Sequence, residues 1–223
     1  GLCRIDVPSQ SFNGNVLSGR SFAAFDGIQI HTLTQSHSGL MLVGTLQQGL
    51  AKFDPKTMEL SWLDSGPDKL GHPWVVSIVE SEPGQAWIGT LDGGISIIDI
   101  DSLQIVKQIR HDRSINSSIN QNNIGAIFRD NAGLMWIGTW GAGLNLFAPH
   151  NDSIRTLRHS PYRPDSIQNA RIRAIAETDK GDIWLGYSQA GLTRIDNQLG
   201  TIQHFDESGN ASATLPENDI LSL

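Results

Sequence analysis

The chain alternates between short apolar segments and clusters of glycine and polar residues. Segments such as Ile124–Phe128 and Gly143–Phe147 are rich in β-branched and aromatic residues, and Gly, Asn or Asp separate them from their neighbours. Short runs of this composition between such turn residues are typical of β-strands. Because no stretch shows a sustained period of 3.6 residues, helices are not expected. The pattern therefore predicts an all-β fold.

A long-range repeat is superimposed on this pattern. Three glycines recur in the same arrangement in four consecutive units: Gly39, Gly44 and Gly49; Gly84, Gly89 and Gly94; Gly133, Gly138 and Gly143; Gly181, Gly186 and Gly191. The units follow one another at spacings of 45, 49 and 48 residues. Each unit contains four apolar segments, a to d, which include strand a at 75–79, 124–128 or 172–176 and strand d at 103–109 or 153–157. A period of about 40–50 residues with four strands is the signature of a β-propeller blade.

The repeat gives the domain organisation. We predict a single β-propeller region over residues 1–223, with a partial blade at 1–25, repeats at about 26–70, 71–118, 119–166 and 167–214, and the start of a further blade at 215–223. The first residues match strands c and d of a blade and the last residues match strand a, so strand b of that blade is missing. Unpaired strand edges are a liability, and we therefore expect the chain to be part of a larger ring. The alternative is a small ring closed by a three-stranded blade.

The tryptophans that precede the second glycine have a structural interpretation. Trp87, Trp136 and Trp184 occupy the same position of strand b, and Leu42 replaces them in the first unit. We expect these side chains to be wedges between blades. The first glycine of each unit suits a hairpin turn that needs a positive φ angle.

The third unit resembles a known repeat family. The segment from Ile124 to Asn145, with Gly133, Trp136 and Gly143 at the shared positions, is similar to the two-component regulator propeller repeat, as is the linker 110–119 before it. The resemblance implies a periplasmic sensor region of a bacterial membrane receptor. It also implies an output module outside this chain, namely a histidine kinase, a hybrid kinase-regulator or a diguanylate cyclase. The partners it implies are a second copy or the remainder of the receptor, with the membrane reached only through other segments.

The composition restricts the classes of partner and the kinds of chemical site that are expected. The net charge of −7 disfavours nucleic acid. The single Cys3 excludes an intrachain disulfide, and no apolar run approaches the roughly 20 residues of a membrane helix. The histidines lack metal-ligand spacing, and no nucleophile or phosphate-binding motif is present, so neither a metal nor a cofactor is expected.

Two other function classes occur on propellers. The turn before Trp184 resembles the Asp-box of sialidase-type propellers, but only Tyr162 and Tyr187 are available as a tyrosine nucleophile. A protein-interaction scaffold of the WD-repeat type would use the same propeller face. We expect a non-catalytic, ligand-sensing domain.

The loops between strands d and a and between b and c share one face, where ligands tend to bind. Trp74 and Trp140 lie outside the wedge position and can stack on a ring. Arginines cluster on this face despite the negative net charge, which favours an anionic small molecule or glycan as the ligand. The predicted binding residues are Trp74, Trp140, Arg171, Arg173, Arg113 and Gln189.

Overall fold

The computed structural model describes residues 2–6, 18–115, 117–198, 200–208 and 214–223. The strands in these residues are β1 (Leu2–Asp6), β2 (Ser18–Phe22), β3 (Ile30–Gln35), β4 (Met41–Thr45), β5 (Leu50–Phe53), β6 (Leu60–Leu63), β7 (Val75–Glu82), β8 (Gln85–Thr90), β9 (Gly94–Asp99), β10 (Ile105–Ile109), β11 (Ile124–Arg129), β12 (Met135–Thr139), β13 (Leu144–Ala148), β14 (Ser153–Leu157), β15 (Ile172–Glu177), β16 (Ile183–Tyr187), β17 (Leu192–Ile195) and β18 (Ile202–Phe205). A single 3₁₀ turn, Ala23–Phe25, precedes β3. None of the described residues form a helix with the length and hydrophobicity of a membrane span.

The strands form four antiparallel sheets of four strands each, in which every strand pairs with its neighbours in the sequence. The sheets are blade 1 (β3–β6), blade 2 (β7–β10), blade 3 (β11–β14) and blade 4 (β15–β18), and β1 pairs with β2 in a separate two-stranded sheet. The first strands of neighbouring blades contact one another, as the strands nearest a propeller axis do. We call β3, β7, β11 and β15 the inner strands. The predicted all-β propeller architecture is confirmed.

One strand start differs from the prediction. The outer strand of blade 2 was expected from Leu103, but it begins at Ile105. Leu103 has a φ of 56°, and the residue before it, Ser102, is held in a turn by hydrogen bonds from its backbone N–H and its hydroxyl to the Asp99 carboxylate. This turn leaves Leu103 outside the strand while its side chain still reaches the core.

Neighbouring blades meet through one repeated contact. The glycine in the second strand of each blade faces the β-branched residue that begins the next inner strand, or Ile220 in the segment after blade 4, so closely that a Cβ on the glycine would lie 2.5 to 2.8 Å from that side chain. The pairs are Gly44 with Val75, Gly89 with Ile124, Gly138 with Ile172, and Gly186 with Ile220. The requirement for glycine inside a strand therefore comes from the close approach of the next blade.

The wedge interpretation of the strand b tryptophans holds for blades 2 and 3. Trp87 is 2% exposed and packs edge-on against Phe147 of blade 3, with ring centroids 5.0 Å apart. Trp136 lies in a core cluster with side chains of blade 4, and its indole Nε1–H donates a 2.7 Å hydrogen bond to the buried carboxylate of Asp130. Trp184 stacks instead on Phe205 of its own blade.

Each inner strand contains a bulge near its first residue. The pairing with the second strand shifts between Ile30 and Thr32 in blade 1 and at the equivalent place in the other three blades. A bulge inserts one extra residue and redirects the side chains around it. The bulge residues are His31, Val76, Gly125 and Arg173.

Candidate ligand-binding site

One backbone position is equivalent in all four blades and lies immediately before the inner strand. Its carbonyl accepts a hydrogen bond from the N–H of the residue that follows the second strand, at 2.9 to 3.1 Å. The residues at this position are Gln29, Trp74, Asn123 and Arg171, and Asp219 stands at the same place before Ile220. The rigid scaffold thus presents a set of varied side chains at one end of the propeller axis. We call this region the mouth; it also includes the bulge residues His31 and Arg173 and the loop residue Trp140.

Aromatic rings connect three blades across the mouth. The His31 ring of blade 1 lies edge-on to Trp74 of blade 2 at a centroid distance of 5.7 Å. Trp74 in turn lies edge-on to Trp140 of blade 3, at 6.3 Å and an interplanar angle of 90°. Edge-to-face contacts at such distances are favourable because the positive ring edge meets the negative ring face.

Arg171 of blade 4 continues this series of contacts. Its guanidinium carbon lies 3.4 Å from the centroid of the Trp140 ring, a close cation–π contact. The backbones of Trp140 and Arg171 also form an isolated antiparallel bridge, which fixes the two residues relative to each other. Burial, and then the neighbouring charge of Arg173, lower the pKa of Arg171, whereas Asp219 acts in the opposite direction.

Arg173 differs from Arg171 in having a carboxylate partner. Its Nη1 lies 3.1 and 3.3 Å from the two carboxylate oxygens of Asp219, and both side chains are partly buried. Partial burial, together with the charges of Arg171 and Arg173, lowers the pKa of His31. His31 lies in blade 1 and the two arginines lie in blade 4, so the charges of blade 4 act on a side chain of blade 1 at the mouth.

Several polar atoms of the mouth are buried without a hydrogen-bond partner among the described residues. They are Trp74 Nε1, Trp140 Nε1, Arg171 Nε, Asn123 Oδ1 and the nearby Gln121 Oε1. Buried polar atoms are normally satisfied, because each unsatisfied one costs about 1–3 kcal/mol. Their concentration in one place marks the mouth as the candidate functional site.

The structure brings together four of the six predicted site residues: Trp74, Trp140, Arg171 and Arg173. Arg113 lies exposed in the loop before β11. Gln189 is exposed in the turn after β16 with a φ of 64°, where blade 3 has Gly141 with a φ of 86°. A binding role for these two residues stays a prediction.

Sequence reasoning missed four members of the mouth, and one of them is Gln29. His31, Asn123 and Asp219 contribute a ring, an amide and a carboxylate. The signal for Asn123 and Asp219 was present, because both align with Arg171 across the repeats. His31 depends on the bulge, which the pattern of apolar residues does not reveal.

Two grooves lie near the blade interfaces. One, of about 370 Å³, is bordered by Asn120, Gly141, Ala142, Arg158 and His159, and it begins beside Trp140. The other, of about 430 Å³, lies between blades 2 and 3, where Lys107 is already paired with Asp152 at 2.7 Å. Among the described residues, no three His, Cys, Asp or Glu side chains come together as a metal site requires.

Comparison with known proteins bears on the repeat that contains Trp140. Residues 118–141 match the family model described as the two component regulator propeller. This segment of the chain is similar to the two-component regulator propeller repeat. The resemblance seen in the sequence is thereby confirmed. The propeller repeat includes the wedge Trp136 and the mouth residues Asn123 and Trp140. No curated protein matches the chain significantly.

Solved structures share the fold of these propeller repeats. The extracellular domain of the hybrid two-component system BT3049 from B. thetaiotaomicron aligns with a TM-score of 0.68 and 21% identity, over 86% of this chain and 23% of that one. The extracellular domain of the one-component system BT4673 from the same organism aligns with a TM-score of 0.67 and 17% identity, over 92% and 28%. The chain therefore spans about a quarter of the length of these proteins.

An enzyme has the same fold. Virginiamycin B lyase from Staphylococcus aureus aligns with a TM-score of 0.60 and 14% identity, over 85% of this chain and 59% of that one. The propeller fold consequently does not decide between sensing and catalysis, and the function must be argued from the site.

Proposed function

We propose that this chain belongs to the periplasmic sensor region of a bacterial two-component or cyclic-di-GMP signalling receptor, and that it binds a ligand at the mouth without catalytic chemistry of its own. The propeller repeat and the likeness to extracellular domains of two-component systems support the receptor context. The arrangement of the mouth supports the binding role.

The observation that carries the proposal is the continuous contact series His31–Trp74–Trp140–Arg171. It contains side chains from all four blades, and each side chain is held by a strand or by a short turn next to one. A ligand seated here contacts every blade at once. Rings and guanidinium groups on a rigid scaffold bind with little loss of side-chain entropy, as in other preorganised sites.

The site also suggests how binding is transmitted. A ligand that contacts blades 1 and 4 together fixes the relative position of the two ends of the blade series. We propose that this change alters the arrangement of the receptor with its partner, which is a second copy or the remainder of the same receptor, and thereby the output module.

The test is a ligand screen with matched aromatic variants. Thermal unfolding of the chain is followed against a panel of neutral saccharides, uronic acids and small organic acids. We expect a compound that raises the melting temperature of the native chain but not that of Trp140→Ala. Tyr162→Ala is the control, because Tyr162 is 92% exposed and lies in the loop before β15.

The same compound is then applied to the full receptor, with kinase or cyclase output as the readout. We expect it to change the output of the native receptor and not of the Trp140→Ala receptor. A compound that acts equally on both receptors would show that the signal is sensed elsewhere. Turnover of the compound by the chain would overturn the non-catalytic part of the proposal.

A further inference from the structure

The charges at the mouth do not balance. Arg171 and Arg173 contribute two guanidinium cations, and Asp219 is the carboxylate paired with Arg173. His31 adds no further positive charge near pH 7, because burial and the two arginines lower its pKa. Among the described side chains, one positive charge is therefore left without a directly paired carboxylate, and it belongs to Arg171.

Arg171 is also oriented to receive a partner. The face of its guanidinium group rests on the Trp140 ring. A stacked guanidinium keeps its N–H groups in the plane, along its edge, where a carboxylate or sulfate can accept two parallel hydrogen bonds. No described residue accepts a hydrogen bond from the Arg171 side chain, and its Nε is buried without a partner.

The surroundings raise the cost of this unpaired charge. Partial burial reduces screening by water, and the like charge of Arg173 adds repulsion. A cation at such a place gains more from an anion than an exposed arginine does, because much of the desolvation cost has already been met by folding.

We propose that the mouth contains a subsite for a single negatively charged oxyanion group of the ligand, bound by the edge of Arg171 with Arg173 beside it. The inference rests on the proposed function and specifies its ligand class. One negative charge balances the mouth, so a monoanionic group such as a carboxylate or a sulfate ester fits better than a multiply charged phosphate. Trp74 and Trp140 flank this group, and Asn123 Oδ1 remains as an acceptor for a neighbouring hydroxyl.

The experiment follows the indole N–H signals of the chain by NMR while sodium acetate or sodium methyl sulfate is added at constant ionic strength, with chloride as the balancing anion. We expect saturable shifts of the Trp140 and Trp74 signals. The indole of Trp136 is an internal reference, because it is committed to Asp130. Comparing acetate with methyl sulfate distinguishes a carboxylate subsite from a sulfate ester subsite.

Three variants test the assignment to Arg171. Arg171→Gln should weaken anion binding at least tenfold, and Arg171→Lys should retain part of it through the remaining charge. Arg155→Gln, which removes an exposed arginine from the outer strand β14, should leave it unchanged. If Arg171→Gln fails to fold, the Arg171→Lys variant and the titration of the native chain still test whether Arg171 binds the anion.

The outcomes separate the two proposals. Shifts that are equal in Arg171→Gln and the native chain, or an absence of saturable shifts with both salts, would overturn the oxyanion subsite. A neutral saccharide that shifts the Trp140 signal while neither salt does so would overturn the subsite and keep the proposed function. A receptor agonist that leaves both indole signals unchanged would overturn the mouth as the sensing site.

Discussion

At the scale of single residues, Gly125 decides where Trp140 can lie. A Cβ at this position would meet the Ile172 carbonyl oxygen at 2.0 Å and the Trp140 ring at 3.2 Å. Gly125→Ala is therefore expected to push blades 3 and 4 apart and to displace Trp140. We expect a loss of about 2 kcal/mol or more in the free energy of unfolding, measured with urea, and a loss of the tryptophan contribution to near-UV circular dichroism.

Gly141→Ala is the matched control for this substitution. Gly141 has a φ of 86° and open space around it, so an added Cβ costs only the backbone conformation, about 1 kcal/mol. If the two variants lose the same stability, the steric role of Gly125 is wrong.

His31 makes anion binding depend on pH. Its pKa is lowered below 6.5 in the free chain by burial and by Arg171 and Arg173, so its protonated form is disfavoured. A bound anion reverses part of this effect and favours protonation. The affinity for methyl sulfate should therefore rise as the pH falls from about 7.5 to about 5, with most of the rise below about 6.5.

Protonation of His31 also lowers the stability of the folded chain. Because the pKa of His31 is lower in the folded chain than in the unfolded chain, its contribution to stability is present above about pH 6.5 and is lost as the pH falls through the folded pKa. His31→Gln should reduce both the pH dependence of the anion affinity and the loss of stability at low pH. An unchanged affinity profile in His31→Gln would assign the pH dependence to another group.

At the scale of the structural elements, Asn145 ties two loops to the core of blade 3. This fully buried side chain accepts hydrogen bonds from the Asn120 backbone and the Thr156 hydroxyl, and its amide donates to Asn120 Oδ1. The Asn120 amide in turn donates to the Ala142 carbonyl, two residues after Trp140. The loop before β11 and the turn that carries Trp140 are thus positioned by one residue.

Asn145→Ala should loosen both loops, because it leaves Asn120 and Thr156 without their buried partner. We expect a loss of roughly 2–4 kcal/mol in stability, together with faster hydrogen exchange in residues 117–123 and 139–143. Asn131→Ala is the control, since Asn131 is an exposed turn residue. Unchanged exchange in the two loops would show that they are held independently of Asn145.

Strand positions could be predicted at this scale because each strand repeats an apolar pattern that its glycines delimit. The bulges could not, since an extra residue such as His31 or Arg173 does not change the composition of its strand. The start of β10 was misplaced because Leu103 is apolar and buried but adopts a turn conformation. The repeat boundaries remain a prediction, and each of the four repeats encloses one sheet.

At the scale of the whole molecule, three clusters of the described core each join two neighbouring blades, and a fourth packs blade 1 against residues that precede it. One cluster joins blades 1 and 2, another joins blades 2 and 3, and a third joins blades 3 and 4. Cooperativity between such units depends on each interface in turn. The interface between blades 2 and 3 is central. A substitution that weakens it should therefore let the blades on its two sides unfold separately.

Gly89→Ala tests this expectation. The added Cβ would lie 2.8 Å from Ile124 and 2.9 Å from Ile127, both on the inner strand of blade 3. We expect unfolding to separate into two transitions, with hydrogen exchange in β7–β10 no longer matching that in β11–β18. A single transition with uniform loss of protection would mean that the blades unfold as one unit despite the clash.

The mouth shows what sequence reasoning can reach at this scale. Trp74, Trp140, Arg171 and Arg173 could be singled out because they depart from the repeat in or beside the loops of one face. Their mutual contacts could not be predicted, since the distance between blades 1 and 4 depends on the curvature of the assembled sheets. The pairing of Arg173 with Asp219, and hence the isolation of Arg171, follows only from that geometry.

The repeated glycine contact between blades has a consequence for how such chains diversify. Every blade is attached to the next by the same small residue against the same kind of branched residue, whereas the position just before that contact holds Gln29, Trp74, Asn123, Arg171 or Asp219. Whole units can be duplicated or lost without redesign of an interface. A single substitution at this position changes the chemical character of one part of the mouth. Ligand recognition can therefore change blade by blade while the architecture stays constant.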